Sequence, residues 1–122
     1  MRKYQVLNRS KQTVLASNVE LAETAWTRMK GLLGRKASEF DSGKGLWIVP
    51  SQGVHTIGMS FPIDVIYLDS ERRVIRVYHR LAPFRIAAVK IKARSVIELP
   101  AGTLAETRTE PGDVLEITEL AT

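Results

Sequence analysis

The stretch HTIGMSFPIDVIYLD, from His55 to Asp69, brings groups capable of chemistry close together in the sequence. His55 supplies an imidazole, which titrates near neutral pH and can act as a general base or bind a metal ion. Thr56 adds a hydroxyl group and Met59 a thioether. Asp64 lies within an apolar run, where an ionised carboxylate is costly unless it is paired or accepts several hydrogen bonds. The pattern therefore predicts either a polar site or a group of side chains that satisfy the local backbone.

Both roles stay open for these residues. In the structural role, which the residues alone favour, His55 and Thr56 hydrogen-bond loop backbone before a strand, and Asp64 accepts N–H groups or pairs with an arginine. In the functional role, Asp64 orients His55 or binds a ligand in a pocket. A loop that carries histidine, threonine and methionine outside regular structure favours a site somewhat more than core residues would.

Several familiar chemistries lack their residues in this chain. There is no cysteine, which excludes a disulfide framework, a thiolate zinc site and a cysteine nucleophile. His79 is the only other histidine, and its spacing from His55 matches no metal-binding motif, so we expect no metal and no cofactor. No G-x-S-x-G elbow surrounds Ser51 or Ser60, and GLLGRK lacks the length and the lysine position of a phosphate-binding loop.

Short apolar runs separated by turn residues predict the elements that position these groups. KYQVLN and TVLASNVEL flank the polar RSKQ and predict an N-terminal hairpin. Further strands are predicted for LWIVP, IDVIYLD, RRVIRVYHR, RSVIELP and DVLEIT, with a hairpin across DSER. ETAWTRMKGLLGRK has Ala25, Met29 and Leu32 or Leu33 at helical spacing and predicts the only substantial helix. AGTLAETRTEPGD predicts one short helical turn capped by Thr103.

These elements predict a mainly β fold, a compact antiparallel β-sandwich or jelly-roll-like barrel with one short α-helix. The chain has 122 residues, 44% apolar and 25% charged, which suits one domain over residues 1–122. No apolar run approaches the length of a membrane span, and no secretory signal is visible, although a removed leader would leave no trace. We expect a soluble protein in the cytoplasm.

The net charge of +5 is distributed unevenly along the chain. The sums are +6 for residues 1–36, −3 for residues 37–70, +7 for residues 71–94 and −5 for residues 95–122. An alternating strand would gather on one face a set of residues able to contact phosphates or stack on bases, namely Arg72, Arg76, Tyr78 and Arg80. We favour instead an exposed or edge-protecting face, because the acidic C-terminal quarter would repel nucleic acid.

Several segments, in order, resemble a known family: RMKGLLGR, GLWIVP, HTIGMSFPIDVIYLD, LAPFR, SVIELPAG and PGDVLEI. Together, over about residues 24–117, they are similar to the domain of unknown function 192 family, a set of small bacterial and archaeal proteins. The resemblance implies a compact β-rich fold of sandwich or jelly-roll type and no established activity. Positions that match its recurring residues are Arg28, Gly31, Leu32, Arg35, Pro50, His55, Thr56, Met59, Pro62, Asp64, Asp69, Pro83, Glu98, Gly102, Gly112 and Asp113. Many relatives have PC where this chain has Pro50-Ser51, which argues against a thiol mechanism here, and many have a glycine in the turn where this chain has SERR.

We predict a small-ligand-binding or interaction module without catalysis of its own, although the residues leave open whether the protein is an enzyme. The expected site comprises Arg28, Arg35, His55, Thr56, Met59 and Asp64, with the arginines supplying positive charge for an anionic group. One alternative is a small hydrolase or isomerase that uses His55 as base and Asp64 as its orienting carboxylate. Another is nucleic-acid binding by the basic strand face, which we do not favour. The expected partner is an unidentified small molecule or protein, and the expected assembly is a monomer or weak homodimer.

Overall fold

The computed structural model describes residues 2–121, and strands make up most of its regular structure. In chain order, the strands are β1 (Lys3–Asn8), β2 (Thr13–Ala22), β3 (Lys44–Ile48), β4 (Ile63–Leu68), β5 (Val74–Leu81), β6 (Ser95–Pro100) and β7 (Leu115–Glu119). The helices are α1 (Ala25–Lys30) and α2 (Thr103–Thr107), with a single 3-10 turn at Ala37–Glu39. The predicted mainly β fold is confirmed.

The strands form one sheet in the order β5-β4-β6-β3-β2-β1-β7. The predicted hairpins β1–β2 and β4–β5 are both present, because each joins consecutive apolar runs across a short polar turn. Neighbouring strands are antiparallel except β2 and β3, which are parallel. The expectation of an antiparallel sheet is wrong for this pair. The connection between them, residues 23–43, is long enough to return the chain to the same end of the sheet.

The sheet curls until its two edge strands come together at one end. Arg73, just before β5, and Val114, just before β7, form an antiparallel bridge. The Val74 N–H donates to the Asp113 carbonyl at 2.8 Å, and the Leu115 N–H donates to the Arg72 carbonyl at 2.9 Å. The sheet is therefore a half-barrel with an inner and an outer face.

Apolar side chains cover both faces of this sheet. The inner cluster draws on all seven strands and includes Val6, Val19, Ile66, Ile97 and Leu115. The outer cluster draws on the central strands and on the connections that cross them, and includes Leu46, Met59, Phe61, Val65 and Val96. Burial of both faces explains why β4 and β6 read as continuous apolar runs rather than as alternating ones.

Two long connections cover the outer cluster, the first covering loop (residues 49–62) and the second covering loop (residues 82–94). Backbone hydrogen bonds join them, from Ala87 N–H to the Val54 carbonyl and from Lys90 N–H to the Gln52 carbonyl, both at 2.9 Å. The apolar run IAAVKIKA, residues 86–93, belongs to the second covering loop. Its backbone is paired with another loop rather than with a strand, which is why its periodicity fits neither regular element.

The helices differ from expectation in their packing. α1 ends at Gly31, whose φ of +48° favours glycine, and none of the six helical residues is buried. Met29, expected on a core-facing side, is 63% exposed, whereas beyond the helix Leu32 is buried in the outer cluster and Leu33 packs against it. α2 occupies the predicted helical turn, although Gly102 rather than Thr103 is its N-cap.

Candidate functional site

The carboxylate of Asp64 is fully buried and fully engaged by the backbone. Its Oδ1 accepts the Arg80 N–H at 2.8 Å, and its Oδ2 accepts the N–H groups of Gly102 at 3.1 Å and Leu104 at 2.8 Å. Gly102, the N-cap residue of α2, has no side chain that could accept these N–H groups, and Asp64 of β4 accepts them instead. Asp64 also holds the end of β5 in place. A carboxyl group that accepts three N–H donors is a satisfied structural group.

The hydroxyl group of Thr56 joins the two covering loops. It donates to the Ala82 carbonyl at 2.6 Å and accepts the Arg85 N–H at 2.9 Å, while the Thr56 backbone N–H donates to the Arg85 carbonyl. Its neighbour His55 pairs with Ile86 in an isolated antiparallel bridge and is exposed. Thr56 therefore fixes the loop that presents His55.

A cavity of about 230 Å³ opens beside His55. Residues 28–33, at the end of α1 and just beyond it, line this cavity, as does Ile48 at the end of β3. The first covering loop contributes residues that include Ser51, His55 and Met59, and β6 contributes Glu98. We call this space the Glu98 cavity. Among the predicted site residues, Arg28, His55 and Met59 line it, whereas Arg35, Thr56 and Asp64 do not.

Glu98 projects from the middle of the sheet into an apolar environment. It lies on β6 opposite Leu46 of β3 and Val65 of β4, and both neighbours belong to the outer cluster. Cross-strand partners share a face of the sheet, so the Glu98 carboxyl group points to the side that the covering loops enclose. Gly31 lies next to it, since a Cβ atom built there would stand at an ordinary contact distance of 3.9 Å from Glu98 Oε1.

The Glu98 residue is 4% exposed, and its buried Oε1 atom has no hydrogen-bond partner within residues 2–121. Burial raises the pKa of Glu98 to about 7, and the positive charge of Arg35 offsets only part of that rise. At neutral pH the group is therefore divided between its carboxylate and carboxylic acid forms. An unsatisfied acceptor of this kind beside a cavity is a marker of a binding or active site.

The two arginines of the predicted site occupy different environments. Arg28 is exposed at the cavity wall and donates from Nη1 to the Pro50 carbonyl at 3.3 Å. Arg35 pairs instead with Glu20, at 2.9 Å between Nη2 and Oε2. Partial burial raises the pKa of Glu20, but the Arg35 hydrogen bond and the charges of Arg35 and Lys3 outweigh it and hold that pKa below its ordinary value. Arg35 therefore influences the cavity through its charge rather than through contact.

Glu98 was not among the predicted site residues, although the sequence carried a signal for it. A glutamate inside the apolar run SVIELP raises the same question as Asp64 inside IDVIYLD, namely what satisfies a carboxylate in a strand. Ser51 also lines the cavity, and its hydroxyl group donates to the Gly53 carbonyl at 2.8 Å.

The basic strand face does not form as a strictly alternating strand would predict. A register shift between β4 and β5 breaks the alternation, so that Val74 packs in the inner cluster and Tyr78 against the outer one. The guanidinium of Arg72 lies over the Trp47 ring and that of Arg76 over the Tyr78 ring, each 4.7 Å from the ring centre. Both arginines are therefore engaged with rings of this chain.

Two absences apply to the described part of the chain. Residues 2–121 hold no group of three histidine, cysteine, aspartate or glutamate side chains placed to bind a metal ion. Neither helix in that range has the length and apolarity needed to cross a membrane.

The fold is that of a small β-rich protein, in which a curled sheet of seven strands carries a buried carboxyl group beside a loop-covered cavity. The chain belongs to the DUF192 family, described as "Uncharacterized ACR", whose model matches residues 6–117. A UPF0127 protein of Pyrococcus abyssi is 34% identical over 117 residues, covering 91% of this chain and 95% of that protein. A UPF0127 protein of Thermococcus gammatolerans is 33% identical over 121 residues, covering 93% of this chain and 76% of that protein.

Solved structures share the fold. A protein of unknown function from Novosphingobium aromaticivorans superposes with a TM-score of 0.78 at 24% identity, covering 93% of this chain and 83% of that one. The sequence resemblance to the family is thus confirmed, and the family is one without an assigned activity.

Proposed function

We propose that this protein binds a small amphipathic molecule in the Glu98 cavity. The observation that carries the proposal is the Oε1 atom of Glu98, a buried acceptor without a partner in the described chain. Such an atom costs free energy, in the range of about 1–3 kcal/mol, unless a donor satisfies it. A ligand that brings a hydroxyl, amide or amine N–H group to Glu98 would recover that free energy on binding.

The rest of the cavity wall sets the other properties of the ligand. Leu32, Ile48 and Met59 provide apolar and polarisable surface for a hydrocarbon body. Arg28 and Lys30 at the wall suit a negative or strongly polar end. The volume of about 230 Å³ lies below the roughly 300–1,000 Å³ of sites for drug-sized molecules, so the ligand is expected to be small.

The binding test uses the isolated protein, a panel of short-chain aliphatic alcohols, amides and hydroxy acids, and amide-resolved NMR. Binding is expected to shift the amide signals of Gly31, Gly53 and Met59, which line the cavity. Glu98→Gln keeps the shape but removes the carboxylate, and we expect it to weaken binding by roughly tenfold or more. Glu106→Gln, at an exposed glutamate of α2, is the matched control and should bind like the unaltered protein.

The pH dependence provides a second test. A ligand that donates to Glu98 prefers the ionised carboxylate, so its affinity should rise as the pH increases through about 7. Ligands that shift other amides, or bind Glu98→Gln with unchanged affinity, would argue against the proposed site.

The geometry lends no separate support to the enzymatic alternative. The oxygens of Asp64 already accept three backbone N–H groups, so Asp64 has no evident part as the orienting carboxylate of His55. The nucleic-acid alternative gains no support either, because Arg72 and Arg76 already lie over aromatic rings of this chain.

We further propose that the protein acts in the cytoplasm as a monomer or weak homodimer. The absence of cysteine is compatible with a reducing compartment. Cell fractionation and light scattering on the purified protein would test the two statements separately.

A further inference from the structure

The second covering loop displays a row of large apolar side chains to solvent. Phe84 is 66% exposed, Ile86 78%, Val89 71% and Ile91 82%. Ile57 of the first covering loop, 47% exposed, lines a shallow depression together with Ile86 and Val89. We call these five residues the apolar loop face. Isolated exposed apolar residues are ordinary, but a group of this kind on adjoining loops marks an interaction surface.

The backbone beneath this face is held firmly. At Ala88, in the middle of the row, the carbonyl accepts the Tyr67 hydroxyl group at 2.6 Å, and the N–H donates to the Tyr78 hydroxyl oxygen at 2.9 Å. The backbone hydrogen bonds between the two covering loops add to this anchoring. Because the two tyrosine hydroxyl groups hold the backbone at Ala88, the apolar side chains on either side of Ala88 face solvent as part of the native fold.

The charges around the apolar loop face have one sign. The second covering loop carries Arg85, Lys90, Lys92 and Arg94, and neither covering loop contains an aspartate or glutamate. None of these four side chains takes part in an ion pair within residues 2–121. The surface therefore combines apolar side chains with uncompensated positive charge, and its partner should be negative and apolar at once.

We propose that the apolar loop face docks on an anionic lipid surface. Interleaved basic and large apolar side chains are the pattern of proteins that lie on such membranes, the apolar groups entering the boundary of the acyl chains and the cations meeting the headgroups. Side chains as exposed as Ile86 and Ile91 stand clear of the protein surface, which suits insertion better than a fit into a partner's groove. A symmetric pairing with a second copy would bring like charges together.

This inference does not rest on the ligand proposed for the Glu98 cavity, because none of the five residues of the apolar loop face lines that cavity. The two surfaces are nevertheless neighbours. Gly53, Val54 and His55 line both the cavity and the shallow depression. Docking through the apolar loop face would therefore place the cavity close to the lipid headgroups.

The experiment is vesicle co-sedimentation of the full chain, with vesicles of phosphatidylcholine alone and of equal parts phosphatidylcholine and phosphatidylglycerol. We expect binding to the mixed vesicles only, and weaker binding as salt is added, since surface charge is screened. Lys90→Gln with Lys92→Gln removes two charges and should weaken binding by roughly thirtyfold. The charge-matched control, Arg9→Gln with Lys36→Gln, alters exposed cations outside both covering loops and should change binding far less.

The apolar contribution is tested with Ile86→Ser and Ile91→Ser together. Both side chains are exposed, so the fold should persist, which thermal unfolding will verify. The matched control is Val14→Ser, at a 54% exposed position of β2. Binding should be lost in the double variant and kept in the control. The inference is overturned if mixed vesicles are not bound, if vesicles of phosphatidylcholine alone bind equally, or if the double variant binds like its control. A dimer in solution that Ile86→Ser dissociates would also overturn it, because the face would then belong to a second copy.

Discussion

Replacing Glu98 with glutamine should stabilise the protein at high pH and have little effect at low pH. The folded state raises the pKa of Glu98 from 4.5 to about 7. A carboxyl group with a raised pKa binds its proton more tightly in the folded state than in the unfolded state, so stability falls as the pH rises. Glu98 imposes no cost on the folded state below about pH 4.5. The cost grows between about pH 4.5 and about pH 7, and above that range the free energy of unfolding is lowered by the full amount.

The size of this effect follows from the pKa rise. At about 1.36 kcal/mol for each pH unit, a rise from 4.5 to about 7 corresponds to roughly 3 kcal/mol in the free energy of unfolding. Because glutamine does not titrate, the free energy difference between Glu98→Gln and the unaltered protein should shift in favour of the variant by roughly that amount between about pH 4 and about pH 8.

Urea denaturation at both pH values, followed by circular dichroism, measures this difference directly. Other titrating groups, such as Asp113 with its lowered pKa, cancel in the comparison because both proteins contain them. Glu106→Gln, at an exposed position, serves as the control and should show no such shift. A difference between Glu98→Gln and the unaltered protein that stays constant across this range would refute the reasoning.

Three further changes have defined outcomes. Asp64→Asn should lower the free energy of unfolding by about 2–4 kcal/mol, because a neutral amide cannot accept three N–H groups as well as a carboxylate does. The control Asp41→Asn, at an exposed position, should change it little in the same urea titration. Thr56→Val should cost about 1–3 kcal/mol and speed amide hydrogen exchange in both covering loops, and unchanged exchange would contradict the bracing role of the hydroxyl group. Arg35→Met should cost no more than about 1 kcal/mol, since its ion pair is partly exposed. The same substitution should raise the pKa of Glu98 further, and a carboxyl NMR titration showing a lowered pKa would count against the assigned charge effect.

The strands follow from local pattern because each apolar run has to be buried and each is separated from the next by turn formers. Which distant strands become neighbours is a different matter. β6 lies between β3 and β4, and β2 runs parallel to β3, arrangements that depend on how the inner and outer clusters pack. Helical spacing in α1 likewise indicated a helix without showing that Trp26 and Met29 would face solvent.

The site illustrates the same limit. Asp64 and Glu98 give identical signals, a carboxylate within an apolar strand. In three dimensions three backbone N–H groups meet Asp64, while none meets Glu98 Oε1 within the described chain. The donors to Asp64 come from the start of α2 and from the end of β5, segments that are distant in sequence from Asp64. His55 and Met59 were identified because they lie in one short motif that forms part of the cavity wall.

The most direct measurement is a carbon-detected NMR titration of the Glu98 side-chain carboxyl group, with and without a ligand found in the amide-resolved screen. In the free protein we expect a pKa of about 7, because the group is buried and lacks a donor. A bound molecule that donates to Oε1 should lower that pKa. A pKa near the ordinary value of a glutamate in the free protein, unchanged by any molecule that binds, would contradict the proposal that Glu98 is an unsatisfied carboxyl group that binds a ligand.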